Sequence, residues 1–183
     1  MTSTQPKLPR VNDTRLFRKP EGAARVDSLA SAVLEAVEMT PQGSLQPVAA
    51  REAGVAYQSR TLLALLTYAY ALGIYASADI EMMMKADRNF RHLCGGEFPR
   101  WQVLRRFRRA NADGIRGCLE KTFKIISKAE RNQNVYCGVI RSEWMQMGNR
   151  QGESWDDAQM AAEAGERLER AIWIDSMGMD DCE

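Results

Sequence analysis

One short stretch of the chain is dominated by arginine. Five of the ten residues from Arg100 to Arg109 are arginines. A guanidinium group donates two parallel hydrogen bonds to a phosphate, and it binds the O6 and N7 atoms of guanine in the same way. At 100° per residue, a helix here places its apolar side chains on one side and arginines on the other. One side carries Trp101, Leu104 and Phe107 or Arg108, and the opposite, outward side carries Arg105, Arg106 and Arg109.

The charge pattern of the whole chain agrees with a basic centre, although the 183 residues have a net charge of only +1. Residues 85–131 hold thirteen basic and five acidic residues, a net charge of +8. Residues 151–183 hold two basic and ten acidic residues, a net charge of −8. This segregation predicts a surface that faces a polyanion and a separate acidic segment. A solvated surface with salt bridges is the alternative interpretation of the basic block.

Helices must position these residues, because apolar side chains recur at helical spacing along most of the chain. The predicted helices begin near residues 27, 59, 77, 89, 100, 115 and 154, and residues 135–140 are the one candidate strand. We therefore expect a mainly α fold, a compact multi-helix domain with an acidic C-terminal helix. The predicted organisation is a flexible basic arm over 1–26, a helical domain over 27–131, and a connector with the acidic helix over 132–183.

Three elements between residues 57 and 109 follow one another in a recognisable order. Tyr57–Ile74 is leucine-rich and ends in a Tyr-Ala-Tyr sequence and a glycine. Asn89–Gly96 contains a Phe-Arg pair and a Gly-Gly pair, and Pro99–Arg109 ends in Phe-Arg-Arg. This order and spacing resemble the N-terminal domain of bacterial insertion-sequence transposases of the DDE type. The chain departs from the family pattern at Arg100, where an acidic residue is usual, and at His92, where tryptophan is frequent.

The resemblance implies binding of double-stranded DNA, with transposon ends as the expected sites. A short helix and a Gly-Gly turn before the arginine-rich helix are compatible with a helix-turn-helix element. The residues expected to contact DNA are Arg88, Arg91, Arg100, Arg105, Arg106, Arg108, Arg109, Lys121, Lys124 and Lys128. A second copy of the chain or a separate catalytic subunit is a further expected partner. The alternative is a helical protein–protein interaction adaptor that keeps the fold without binding DNA.

The sequence predicts no catalytic residue, cofactor or metal site. Family transposases continue into a ribonuclease-H-like domain, whose carboxylates converge on two metal ions about 4 Å apart. The 183 residues leave no room for the sheet that such a site requires. The four cysteines lack C-x-x-C spacing, and His92 is the only histidine, so a zinc site is not expected.

The uncharged segment Thr61–Ala78 raises the question of a membrane span. It has 18 residues, against about 20 for a transmembrane helix, and it is interrupted by Gly73 and three tyrosines. We therefore predict a buried core helix. Residues 1–25 lack the apolar region of a secretory signal, so we expect a cytoplasmic, nucleoid-associated protein.

Overall fold

The computed structural model describes residues 28–48, 57–131 and 155–177, and within these ranges all regular secondary structure is helical. The helices are α1 (Ser28–Glu38), α2 (Ser59–Ala71), α3 (Ser77–Ala86), α4 (Arg88–Leu93), α5 (Trp101–Ala110), α6 (Ala112–Arg131) and α7 (Asp157–Met177), with a 3-10 turn at Gln42–Ser44. The predicted mainly α fold is confirmed. The predicted arm at 1–26, the connector at 132–150 and the candidate strand at 135–140 lie outside the described residues.

Helix α2 is the central element of the fold. Every residue from Leu62 to Ala71 is buried, and α2 contacts each of the other six helices. Its sequence explains this position, because a helix that is apolar on all sides must be enclosed by protein. The prediction of a core helix at this segment is confirmed. In the described part of the chain, no helix has the length and apolar character needed to cross a bilayer.

Helix α6 packs against α1 on one side and against α7 on another. Its buried apolar side chains recur every three or four residues, so they form one stripe along the helix. These side chains are Ile115, Cys118, Leu119, Phe123 and Ile126. Burial raises the pKa of the Cys118 thiol, which makes this cysteine a packing residue rather than a nucleophile.

The acidic helix α7 is part of the same core. Met160, Ala164, Leu168 and Ala171 are buried along one stripe. Apolar spacing in the sequence would also place Ala158 and Ile172 on this stripe, but both are exposed. The helix begins with a reciprocal cap rather than at Ser154 as predicted. The Gln159 amide donates to the Asp156 carboxylate over 2.7 Å, and the Asp156 amide donates to the Gln159 side chain over 2.9 Å.

Arg167 fixes α7 to the end of α2. Its side chain is buried in the middle of the α7 stripe, where an apolar residue is expected. One guanidinium nitrogen donates to the carbonyls of Tyr70 and Ala71, each over 2.8 Å, and another pairs with Glu163 at 2.6 Å. The carbonyls at a helix C-terminus have no partner within the helix and attract cations. Arg167 therefore adds two hydrogen bonds to the carbonyls at the end of α2.

We expect Arg167→Ala to lower the free energy of unfolding by about 3–5 kcal/mol, because it removes a buried guanidinium with its hydrogen bonds to the Tyr70 and Ala71 carbonyls and its ion pair with Glu163. Urea unfolding followed by circular dichroism measures the change. Glu166→Ala is the matched control at the exposed neighbouring position, with an expected change within about 0.5 kcal/mol. Equal stability of the two variants would contradict the capping role.

Candidate nucleic-acid interface

The arginine-rich region consists of α4, a loop and α5. The Asp87 carboxylate caps α4 by accepting from the amides of Asn89 and Phe90, over 2.8 and 3.1 Å. Seven residues, 94–100, separate α4 from α5, whereas a helix-turn-helix element has a turn of about 3–4 residues. The helix-turn-helix prediction is therefore not confirmed. Gly95 and Gly96 adopt positive φ angles of 59° and 85° in this loop, which favour glycine.

Arg108 is not on the surface. Its side chain is 2% exposed and forms an ion pair with Asp175 of α7, whose side chain is 9% exposed. A second guanidinium nitrogen donates to the Tyr70 hydroxyl over 2.9 Å and to the Ser77 hydroxyl at 3.4 Å. The prediction that Arg108 contacts DNA is wrong for this conformation, because the guanidinium is enclosed by partners from three other helices.

Arg105 is also buried, and its predicted outward orientation is wrong. Its guanidinium donates to the main-chain carbonyl of Asp175, near the end of α7. The same group lies 5.9 Å from the centre of the Trp101 ring. The prediction failed because the end of α7 meets α5 at Asp175, so a side that would face solvent in an isolated helix is covered in the fold.

Asp175 is the acceptor at the centre of this polar cluster. Its carboxylate accepts from the Ser77 amide over 3.0 Å, from the Ser77 hydroxyl over 2.5 Å, and from Arg108. Burial acts to raise the pKa of Asp175, but the hydrogen bonds from Ser77 and Arg108 outweigh it and the pKa is lowered. Burial raises the pKa of Tyr70 to about 12 despite the adjacent Arg108. Asp175 is therefore ionised and Tyr70 neutral at pH 7.

The remaining predicted residues of this region lie at the surface. Arg88 and Arg91 on α4, Arg100 before α5 and Arg109 on α5 are exposed, and Arg106 is partly exposed. Arg106 and Arg109 share one face of α5 with the exposed Gln102, since the three are spaced by four and three residues. Sequence reasoning did not single out Gln102, although its position relative to the two arginines was available. Glutamine can bind adenine through its N6 and N7 atoms.

Two of the three predicted lysines of α6 have protein partners. Lys121 donates to the Met39 carbonyl at the end of α1 over 3.2 Å. Lys124 pairs with Glu120 at 2.9 Å and with Asp157 of α7 at 3.1 Å, and these hydrogen bonds raise its pKa. Lys128 is exposed. Lys121 and Lys124 thus join α6 to its neighbours.

Two aromatic side chains stand at the start of α5. Trp101 is 39% exposed and Phe98 is 46% exposed. The Trp101 amide donates to the Glu81 carboxylate of α3 over 2.9 Å. Trp101 belongs to the side of α5 that was predicted to be apolar, yet its ring is partly exposed and is available for contacts outside the fold.

A metal site is not present among the described residues, where no group of three or more histidine, cysteine or acidic side chains converges. Comparison of the chain with protein-family models, with curated proteins and with solved structures finds no match.

We expect Asp175→Asn to lower the free energy of unfolding by about 3–5 kcal/mol at neutral pH, because it leaves the buried Arg108 charge without its counter-ion. The pKa of Asp175 is lower in the folded chain, so its contribution is complete above the ordinary carboxyl pKa of about 3.9 and is lost as the pH falls further.

Urea unfolding of both proteins at neutral pH and at about pH 3 tests this assignment. The difference in stability between them should shrink at the lower pH. A difference that stays constant with pH would show that the Asp175 charge is not the stabilising feature.

Proposed function

We propose that this protein binds double-stranded DNA through the exposed arginines of α4 and α5. The main support is the concentration of positive charge on this part of the surface. Residues 88–111 contain seven arginines and a single acidic residue. Two of the arginines are buried, and the five that remain at the surface are Arg88, Arg91, Arg100, Arg106 and Arg109.

The chemistry of the surface supports a nucleic-acid partner. Phosphate contacts from arginine supply affinity that is independent of base sequence, and side chains on a helix face supply base contacts in the major groove. Gln102, Arg106 and Arg109 form such a face on α5. Asp87, Glu97 and Asp113 are the nearest acidic residues in sequence. The Asp87 carboxylate is engaged in capping α4, and Asp113 pairs with Arg116 at 2.9 Å.

We further propose that the chain is a transposase-related recognition module that binds transposon ends. The order of elements over residues 57–109 supports this relation. The bond-breaking chemistry would then come from a separate catalytic subunit, and a second copy of the chain would bring two DNA ends together. The proposed location beside the nucleoid follows from DNA binding.

The helical adaptor remains the second candidate. The exposed apolar side chains Ile172, Trp173 and Met177 on α7 favour it, because contiguous exposed apolar groups mark protein interfaces. An adaptor would not bind duplex DNA with the salt dependence expected of phosphate contacts.

The test is the double variant Arg106→Ala/Arg109→Ala. We expect its affinity for a random-sequence duplex of about 25 base pairs to fall by about tenfold to a hundredfold, and the slope of log affinity against log salt to decrease by about 2. Fluorescence anisotropy between about 50 and about 200 mM salt gives both quantities.

Arg60→Ala/Arg170→Ala is the matched control, since it removes the same charge from exposed positions on α2 and α7. This control should bind nearly as well as the unaltered protein. Equal losses in the two double variants would point to net charge rather than to the α5 surface. An unaltered protein that does not bind duplex at the lowest salt would exclude the proposal.

A further inference from the structure

Helix α7 presents a second stripe of side chains on the side away from the core. The stripe consists of Glu166, Glu169, Trp173 and Met177, spaced by three, four and four residues. The glutamates are exposed, Trp173 is 60% exposed and Met177 is 55% exposed. A shallow groove runs beside Glu166, Glu169 and Trp173. Tryptophan is enriched at the energetically dominant positions of protein interfaces, so exposure of this extent indicates a docking surface.

The outward side of α5 carries the complementary pattern in the opposite direction. From its C-terminal end the surface residues are Arg109, Arg106 and Gln102, followed by Phe98 before the helix. Their spacings are three, four and four residues, the same as those of the α7 stripe. Both helices rise by about 1.5 Å per residue. If α5 and α7 lie antiparallel, the three stripe positions on α7 up to Trp173 therefore lie at the same heights as the three on α5.

We propose that α5 is the docking site for α7 of a second copy of this chain. In this arrangement Glu166 lies opposite Arg109 and Glu169 lies opposite Arg106. Trp173 lies over Gln102, and Met177 lies near Phe98. Each stripe thus meets opposite charge at one end and apolar surface at the other.

Contacts within one chain leave both stripes open to another molecule. Inside the chain, α5 and α7 meet through Arg105 and Arg108 on one helix and Asp175 on the other. Arg105 and Arg108 are buried and the Asp175 side chain is 9% exposed, whereas the members of the two stripes are exposed or partly exposed. A second copy is the occupant that brings both complementary surfaces in equal amounts.

The contact is small and partly ionic, so we expect weak association. Exposed ion pairs contribute up to about 1 kcal/mol each, and salt screens them. A dissociation constant on the order of micromolar is therefore expected, rising with salt.

Charge reversal tests the proposal without DNA, so its outcome is independent of the proposed DNA binding. Sedimentation velocity of the full chain at about 1 to about 100 µM should show concentration-dependent dimers or larger species. Glu166→Arg/Glu169→Arg and Arg106→Glu/Arg109→Glu should each be monomeric, because each variant opposes like charges. An equimolar mixture of the two variants should associate again, because each reversed stripe then meets an opposite one.

Glu35→Arg/Glu38→Arg on α1 is the matched control. It makes the same charge change at two exposed glutamates with the same spacing, and it should associate like the unaltered protein. A monomeric unaltered protein, reversal variants that still associate, or a mixture that stays monomeric would each overturn the proposal.

Trp173→Ala provides a second readout if a reversal variant does not fold. This truncation is at an exposed position, so the melting temperature should not change, and the dissociation constant should rise about tenfold or more. Unchanged association of Trp173→Ala would also overturn the proposal.

Discussion

The buried charge of Arg108 is the constraint on which the arrangement of the helices depends. A guanidinium enclosed by protein is destabilising unless its charge is matched and its donors are satisfied. Asp175 supplies the charge, and the Tyr70 and Ser77 hydroxyls accept from the same guanidinium. Because these residues come from α7, α2 and α3, the pairing fixes four helices around one point. The end of α7 therefore cannot separate from α5 without exposing an unpaired charge.

The same constraint divides the arginines of α5 into two groups. Arg105 and Arg108 hold α7 in place, while Arg106 and Arg109 point toward solvent. The acidic helix thus neutralises part of the basic block from inside the fold, without covering its outer face. The opposed charges of the central and C-terminal segments have a structural origin as well as a proposed functional one.

The proposed DNA contact and the proposed contact with a second copy use the same outer face of α5. Arg106 and Arg109 are central to the proposed DNA surface and also to the proposed contact with a second copy. Occupation by α7 of another chain and by DNA would then exclude each other. Glu166 and Glu169 have the same spacing as Arg106 and Arg109, so they would compete with DNA phosphates for these arginines. Self-association and DNA binding would then be alternative states of one surface.

The sequence by itself determined the helices and the identity of the central one. Apolar spacing and helix-capping residues predicted the seven helices of the described residues, and the uncharged segment that starts at Thr61 correctly predicted the buried α2. This succeeded because helix formation and burial depend on local spacing and composition. The caps at Asp156 and Asp87 are also local features, but the first was predicted at Ser154 and the second was not predicted.

Only the tertiary structure decided which charged residues face solvent. On an isolated helix Arg105 lies beside Arg106 and Arg109, and no local pattern distinguishes it from them. The distinction comes from Asp175, which is 70 residues away along the chain and is brought into contact by the packing of α7. Arg167 is buried for the same reason, because its partners at the end of α2 lie more than 90 residues away along the chain and are brought to it by the packing of α7. Pairing of buried charges is a long-range property, whereas periodicity is a short-range one.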